Sequence, residues 1–318
     1  MTPPLRVVWA GPPGRLVEAL RRAGTEVVLV EESLPGGGRT SRVWARRAAV
    51  RQARPATVHL EGTPAVEGWG LAARLAGAPV VWHLADPPHA GTLRGVRPAA
   101  LLADSQTALR RLPPAPRSRV LPVVVDEPAE VSFPSFGPVR TLGVVCPVQA
   151  SGGNHVFLRA FRSAFGPPSR TRAIVRLSGD DPLGQEERRL WSTACALGIG
   201  SRLQFTTAPL DPYLPRLDAF VHLPLDPPTD PLEVLTAMAS GVPVLAARAG
   251  ADAEVVEPGV TGLLVDADDA ADLTLQLMRL DLDLPLRSRL AAAGLHRAQD
   301  FTPEHAAQAL LAVYQEVL

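Results

Sequence analysis

A glycine-rich turn and a short strand followed by an arginine are the parts of this chain best suited to bind an anionic ligand. The turn Ser151-Gly152-Gly153-Asn154 precedes an apolar helical stretch, so its amides would face a ligand at a helix start, where negative charge is favoured. Arg248 follows an apolar strand at 242–247, and Gly250 and Ala251 allow backbone amides to approach a ligand closely. A tight loop and a solvated surface charge are the competing interpretations.

These groups must be positioned by short apolar strands that alternate with helices. The alternation predicts an α/β protein with parallel, doubly wound sheets. In the first half the strands are predicted at 5–10, 26–30, 57–60, 80–84 and 101–104, and in the second half at 139–145, 172–177, 202–205, 219–223 and 242–247.

The length and a proline-rich segment indicate two domains. A chain of 318 residues, 46% of them hydrophobic, suits two units of ordinary size, each with its own core. The segment DEPAEVSFPSFG at 126–137 breaks the pattern of strands and helices. We therefore predict domains at 1–132 and 133–300, followed by a helix within 301–318 that Thr302 caps and Pro303 begins.

Several segments resemble the family-four type of retaining glycosyltransferases, the glycosyl transferases group 1. In the second half these are AMASGVPVLA, EVVEPGVTGLLV, DAFVHLPL, RLQF and LSGDDP, and in the first half LAGAPVVWHLADPP and LLADSQTALRRL. The resemblance implies the GT-B fold, in which two Rossmann-like domains face an interdomain cleft. It also implies an acceptor-side first domain, a donor-side second domain, and a final helix (301–318) packed back on the first domain.

The resemblance also shows which of the family's polar residues this chain lacks. The family's two glutamates, of which the second is taken to hold the donor ribose hydroxyls, fall on Pro228 and Thr236. The arginine and lysine that reach the donor diphosphate fall on Pro147 and Gly152. The histidine of the acceptor cleft falls on Ala85. Each lost charge-assisted hydrogen bond to a phosphate removes about 1.5–3 kcal/mol, so a conventional donor would bind poorly.

Other residues are candidates to replace these contacts, although no lysine occurs in the chain. On the donor side they are Arg248, the turn 151–154, and Glu233, which lies one helical turn before Thr236 and could bind a sugar hydroxyl. On the acceptor side, His83 and Asp86 are the candidate catalytic residues, and His59 with Glu61 could also contact a sugar. For each histidine, a structural role is an equally good interpretation.

Composition excludes several classes of function. The formal net charge of zero argues against a nucleic-acid partner. Cys146 and Cys195 are too few and too far apart for a metal site or disulfide framework, and no cofactor is expected beyond the donor. The arginine-rich stretch 39–54 fits a solvated helix face, with an anionic acceptor or a membrane surface as alternatives.

The sequence further suggests a location inside the cell. The stretch MTPPLRVVWAGPP lacks a signal-peptide core, and no segment approaches the roughly 18 apolar residues of a membrane span. We expect a cytoplasmic protein, soluble or peripheral to the inner face of the membrane.

Two functional hypotheses follow. In the first, the protein moves a sugar from a nucleotide-sugar donor to a hydroxyl of a glycan, lipid or small molecule, with retention. The resemblance suggests cell-envelope polysaccharide synthesis as the class of pathway. In the second, it is a catalytically inactive pseudo-glycosyltransferase that serves as a binding subunit, with an active glycosyltransferase as partner. The missing charges favour the second hypothesis, and the extent of the resemblance favours the first.

Overall fold

The computed structural model describes residues 4–30, 39–62, 66–84, 98–113, 115–128, 130–147, 153–178, 184–224, 228 and 230–318. The chain divides into two compact units, one formed by residues 1–124 with 301–318 and the other by residues 125–300. Within the described residues, no helix combines the length and apolar character needed to cross a bilayer.

The first unit is a parallel sheet of six strands covered by helices. Its strand order is β2-β1-β3-β4-β5-β6, with β1 (Arg6–Ala10), β2 (Glu26–Val30), β3 (Thr57–Glu61), β4 (Val80–Leu84), β5 (Ala100–Ala103) and β6 (Ser118–Val120). Its first four helices are α1 (Arg15–Arg22), α2 (Arg39–Ala53), α3 (Val66–Ala76) and α4 (Gln106–Arg111). Alternate residues of β1 enter different cores, Val8 on one face and Trp9 on the other, as the two-residue period of a strand requires.

The second unit repeats this architecture. Its strand order is β12-β11-β10-β7-β8-β9, with β7 (Thr141–Pro147), β8 (Arg172–Ser178), β9 (Leu203–Thr206), β10 (Ala219–His222), β11 (Val244–Ala247) and β12 (Leu263–Val265), all parallel. Its helices are α5 (Asn154–Ala164), α6 (Gln185–Ala196), α7 (Leu232–Ala239), α8 (Asp252–Val255), α9 (Ala270–Leu282) and α10 (Leu284–Ala298). Counted from β7, this is the Rossmann strand order 3-2-1-4-5-6.

The last helix, α11 (Pro303–Val317), belongs to the first unit. The Thr302 hydroxyl caps it by accepting a hydrogen bond from the His305 amide at 3.3 Å. Leu310 and Tyr314 are fully buried in the core formed with β1 and α1. The helix therefore supplies part of a hydrophobic core that residues 1–124 alone would leave open.

The division between the units falls at Val124–Val125, ahead of the predicted boundary at 132/133. Hydrogen bonds explain the difference, because the Ser132 amide donates to the Ser240 carbonyl at 3.0 Å. Farther along, the buried Arg287 guanidinium donates to the carbonyls of Ser135 and Gly137. The proline-rich segment is thus attached to the second unit and does not act as a free linker.

Candidate functional site

The centre of the second sheet has the topology at which nucleotides commonly bind. β7 and β10 are neighbours, but the strand that follows β7 lies on one side of this pair and the strand that follows β10 lies on the other. In doubly wound sheets, ligands bind beyond the carboxyl ends of two such strands. The start of α5 meets the end of β10 there. A Cβ added to Gly153 would lie 2.7 Å from the Leu223 carbonyl oxygen, so only glycine fits. Of the predicted turn, Ser151 and Gly152 lie outside the described residues, and Asn154 is buried.

The loop after β11 packs tightly on Pro228. Gly250 has a φ of +64°, and a Cβ there would lie 2.5 Å from Pro228. The Ala251 amide donates to the Pro228 carbonyl at 2.8 Å. The expectation that the Ala251 amide faces a ligand is therefore wrong, because the protein already uses that donor. Pro147, the other proline at a family position, ends β7.

Arg248 is held along the edge of the sheet. Its Nη2 donates to the Leu264 carbonyl at 2.9 Å, and its Nε lies 3.4 Å from the Asp266 carboxylate. Both contacts come from the end of β12 or directly after it, so the pairing of β11 with β12 fixes the guanidinium there. Arg248 thus has carbonyl and anionic partners of its own at a half-exposed position, and its assignment to the donor stays a prediction.

A cavity of about 270 Å³ opens on the α7 face of the same sheet. It is lined by Arg176, Pro209, Leu210, Asp211, Leu214, Phe220, Leu232, Glu233 and Thr236. Two predicted residues, Glu233 and Thr236, therefore border one cavity, as their helical spacing requires. The sequence analysis did not single out the third polar residue on this wall, Arg176.

Arg176 reaches the cavity from the strand β8. Val175 and Leu177 point into the core on the other face, so Arg176 emerges beside α7. Its Nη1 donates directly to the Glu233 carboxylate, whereas its buried Nε has no hydrogen-bond partner within the described residues. The signal that could have identified Arg176 is a charged residue inside the apolar strand RAIVRLS, since unpaired charges are rarely buried.

Thr236 is not a chemical substitute for the family's glutamate. Its hydroxyl donates to the Leu232 carbonyl at 2.7 Å, one turn earlier in α7. The oxygen can still accept a hydrogen bond but carries no charge. Of the two residues, only Glu233 offers a carboxylate to a ligand.

A buried histidine–aspartate pair lies beside the cavity. His222 Nδ1 is 2.7 Å from the Asp252 carboxylate, and Asp252 is fully buried. Burial lowers the pKa of His222, whereas the negative charges of Asp252 and Glu233 raise it. The effect of Asp252 is the larger of these two, and the pKa of His222 is raised overall. Glu233 thus couples the wall of the cavity electrostatically to this pair.

The first unit has a second polar cluster, at the carboxyl ends of β1, β3 and β4. His83 Nε2 lies 2.7 Å from the carboxylate of Asp104, which directly follows β5. His83 Nδ1 is buried without a partner among the described residues. Glu61 lies over Gly11, where an added Cβ would be 2.7 Å from Glu61 Oε2. Burial raises the pKa of Glu61, with His83 opposing the shift.

The structural partner of His83 is thus Asp104, which follows the neighbouring strand. Asp86, the other candidate catalytic residue, lies outside the described residues, as does Ala85.

The surroundings of His59 indicate a structural role. Its ring is fully buried, stacks on Trp9 at 4.0 Å, and has Nδ1 2.9 Å from the Tyr314 hydroxyl. Burial, with His83 nearby, lowers the pKa of His59 well below its ordinary value. His59 is therefore neutral in the folded unit at neutral pH. In the part of the chain that the structure describes, no three histidine, cysteine or acidic side chains are grouped to hold a metal ion.

Most of the second unit matches a known protein family. Residues 140–283 match the family described as glycosyl transferases group 1, a segment that runs from the start of β7 through α9 and includes the cavity. The second unit belongs to the glycosyl transferases group 1. The resemblance seen in the sequence is thereby confirmed.

Curated glycosyltransferases match part of the chain. The chain is 32% identical over 163 residues to the D-inositol 3-phosphate glycosyltransferase of Thermobifida fusca, covering 48% of this chain and 36% of the relative. The same enzyme of Corynebacterium jeikeium is 32% identical over 219 residues, covering 66% of this chain and 52% of that protein. The lipopolysaccharide core biosynthesis glycosyltransferase LpsE of Rhizobium meliloti is 30% identical over 151 residues, 46% of this chain and 43% of LpsE. The chain thus spans about half or less of the length of these relatives.

Solved structures match both units of the chain. A glycosyltransferase of Rickettsia africae has a TM-score of 0.77 at 13% identity, covering 99% of this chain and 98% of that one. Anabaena HepE, solved in complex with UDP, has a TM-score of 0.75 at 17% identity, covering 98% and 100%. The predicted GT-B fold class, with two doubly wound parallel sheets, is confirmed.

Proposed function

We propose that this protein transfers a sugar from a nucleotide-sugar donor to an acceptor hydroxyl, and that the cavity beside α7 holds part of the donor. The observation that carries the proposal is the convergence of Arg176, Glu233 and Thr236 on one cavity beside α7, within the segment that matches the group 1 family. Two comparisons support it. HepE was solved with UDP and also with UDP-glucose, and the matched relatives are glycosyltransferases.

The cavity offers a hydrogen-bonding set suited to a nucleotide. A guanidinium has five N–H donors, and Glu233 uses only one edge of the Arg176 fork. The remaining N–H groups of the partly exposed Arg176 guanidinium can donate to a phosphate or ribose oxygen, and the Glu233 carboxylate can accept from a ribose hydroxyl. The start of α5, with Gly153 against the end of β10, adds a positive helix end to this edge of the sheet.

The proposed reaction needs no cofactor besides the donor. The bond between the anomeric carbon and the donor phosphate oxygen breaks, and the acceptor oxygen bonds to the same face of that carbon. The acceptor proton leaves with the released nucleoside diphosphate, so atoms and charges balance. We assign Glu61 and His83 of the first unit to the acceptor hydroxyl, because His83 Nδ1 is buried without a partner among the described residues and burial raises the pKa of the neighbouring Glu61.

A specific observation favours the alternative of a non-catalytic binding subunit. Glu233 already neutralises Arg176, and Asp266 accompanies Arg248. A diphosphate must therefore compete with a carboxylate for its cation, which weakens binding relative to a free arginine. This alternative predicts nucleotide binding without turnover, or no binding at all.

Calorimetric titration of the full chain with UDP, GDP, ADP and their sugar conjugates tests the proposal. Arg176→Gln should lower the affinity roughly tenfold or more, since a hydrogen bond to a charged group contributes about 1.5–3 kcal/mol. Arg248→Gln removes the same charge from the edge of the sheet and is the matched control.

If the protein binds a sugar nucleotide and releases nucleoside diphosphate from it, the transferase hypothesis is supported. Binding without release supports the binding subunit. If Arg176→Gln binds the nucleotides with unchanged affinity, the cavity beside α7 is not part of the donor site.

A further inference from the structure

The helix α9 has apolar residues on two opposite sides. Three leucines on its inner side are fully buried in the core of the second unit: Leu273, Leu277 and Leu280. The opposite side has a second apolar set, which is exposed: Ala271, Leu275, Met278 and Leu282. Residues three or four positions apart share one side of a helix, so these four residues form a continuous stripe, here called the outer seam.

The outer seam is unusual for a helix at the surface. Leu275, Met278 and Leu282 are 56%, 40% and 78% exposed. The neighbouring helix α5, which packs on the same core, instead exposes arginine and serine: Arg159, Arg162 and Ser163. A helix that covers a core ordinarily has a polar outer side, and a contiguous apolar patch on a surface marks an interaction site.

The spacing of the outer seam reads the same in both directions along the helix. Its successive members are separated by four, three and four residues, the spacing of a coiled-coil contact. If α9 of a second copy lies antiparallel to it, a two-fold axis passes between positions 276 and 277. Leu275 then lies against Met278 of the second copy, and Ala271 lies against Leu282 of the second copy. The small side chain thus faces the large one, as close packing requires.

The charges beside the outer seam fit the same arrangement. Gln276 donates to the Asp272 carboxylate at 3.0 Å and accepts from Arg279 Nη1 at 2.8 Å, so the acid and the base lie on one flank of the helix. In the antiparallel pair, Asp272 lies beside Arg279 of the second copy, and the two-fold axis repeats this ion pair. A parallel pair would place Ala271 against its own copy, leaving a void, and would give neither charge an opposite partner.

We propose that the outer seam is the contact of a homodimer in which α9 of two copies packs antiparallel. A two-fold contact requires one patch to be complementary to itself, and the outer seam is so in both shape and charge. The seam lies on the side of α9 away from the core, so the pairing needs no change within the second unit. It is only about 16 Å long, which is short for a permanent interface, and we therefore expect a dimer that dissociates on dilution.

Sedimentation equilibrium of the full chain, without nucleotide, tests the proposal. Between about 1 and about 300 μM we expect a reversible equilibrium of monomer and dimer. Leu275→Gln should raise the dissociation constant roughly tenfold or more, because each dimer loses two buried leucines. Leu75→Gln removes a leucine that is exposed on α3 of the first unit, and as the matched control it should dimerise like the unmodified protein.

Exchange of the flanking charges tests the antiparallel direction. Asp272→Arg and Arg279→Asp should each weaken the dimer roughly fivefold, because each places like charges side by side. The double variant Asp272→Arg/Arg279→Asp should recover most of the affinity. Both changes oppose the dipole of α9, so the recovery cannot come from a more stable helix. Circular dichroism should show that every variant is folded.

Three results would overturn the proposal. If the protein stays monomeric over the whole range, the outer seam does not bind a second copy and is left for a different protein. If Leu275→Gln dimerises as tightly as the unmodified protein, the dimer forms elsewhere. If the double charge variant is as weak as the single ones, the helices do not pair antiparallel. The proposed sugar transfer is tested separately, because nucleotide titration does not depend on the outer seam.

Discussion

Protonation of the buried His59 should make the first unit less stable as the pH falls. In the fold, burial lowers the pKa of His59 well below its ordinary value. In the unfolded chain, this pKa returns to about 6.5. The unfolded state therefore binds one more proton than the folded state as the pH falls through this value, and the free energy of unfolding decreases.

The size of the effect follows from the linkage relation. Between pH 7.5 and 5.5, one histidine that stays neutral in the fold removes about 1.4 kcal/mol from the free energy of unfolding. His222 acts in the opposite sense, because its raised pKa contributes stability that is lost as the pH rises. The effect of His59 must therefore be measured as a difference between two proteins and not from a single pH profile.

The tryptophan distribution offers a way to observe the first unit. Of the five tryptophans, only Trp191 lies in the second unit. In a Trp191→Phe background, fluorescence during urea unfolding reports the first unit, in which Trp9, Trp69 and Trp82 are buried. The comparison is with Trp191→Phe/His59→Gln, in which the amide can still meet the Tyr314 hydroxyl but does not titrate.

The expected outcome is a pH dependence that is smaller by about 1.4 kcal/mol in the protein without His59. Other titrating groups, including Glu61, are common to both proteins and cancel in the difference. If the two proteins lose the same free energy between these pH values, His59 is protonated in the fold or exposed, and the reasoning fails.

Two further predictions concern the second unit. Gly250→Ala should lower the melting temperature of the protein more than Gly259→Ala does. Both glycines have positive φ, which costs an alanine about 1–2 kcal/mol, but only at Gly250 would the added Cβ also lie 2.5 Å from Pro228. Equal melting temperatures for the two variants would contradict this. Asp252→Ala should lower the free energy of unfolding by about 1–3 kcal/mol, because it leaves the buried His222 without its hydrogen-bond partner. Asp268→Ala, at an exposed position, serves as its control. A similar loss of unfolding free energy in both variants, measured by urea titration, would show that the buried pair does not stabilise the fold.

The fold was predictable because its signals are local. Short apolar strands such as 80–84 and 219–223 alternate with helices, and the structure has both of these strands and places them in parallel sheets. The pairing of side chains was predictable only within one element. Glu233 and Thr236 share a helix face and do border the same cavity.

Contacts between strands were not predictable from spacing. Arg248 pairs with Asp266 because β11 lies beside β12, and His83 meets Asp104 because β4 lies beside β5. Spacing along the chain does not contain these adjacencies. Arg176 was missed for a related reason, since its role depends on α7 covering one face of β8.

The place of α11 in the first unit has a consequence for biosynthesis. Residues 125–300 leave the ribosome before residues 301–318, although the latter belong with residues 1–124. Domains fold as units during synthesis, so the second unit can finish first while the nascent first unit still exposes the surface that Leu310 and Tyr314 later cover. The contact between His59 and Tyr314, 255 residues apart, forms only after the whole intervening domain has been made. Until then the incomplete first unit presents apolar surface, so chaperones should hold it longer than the second unit during translation.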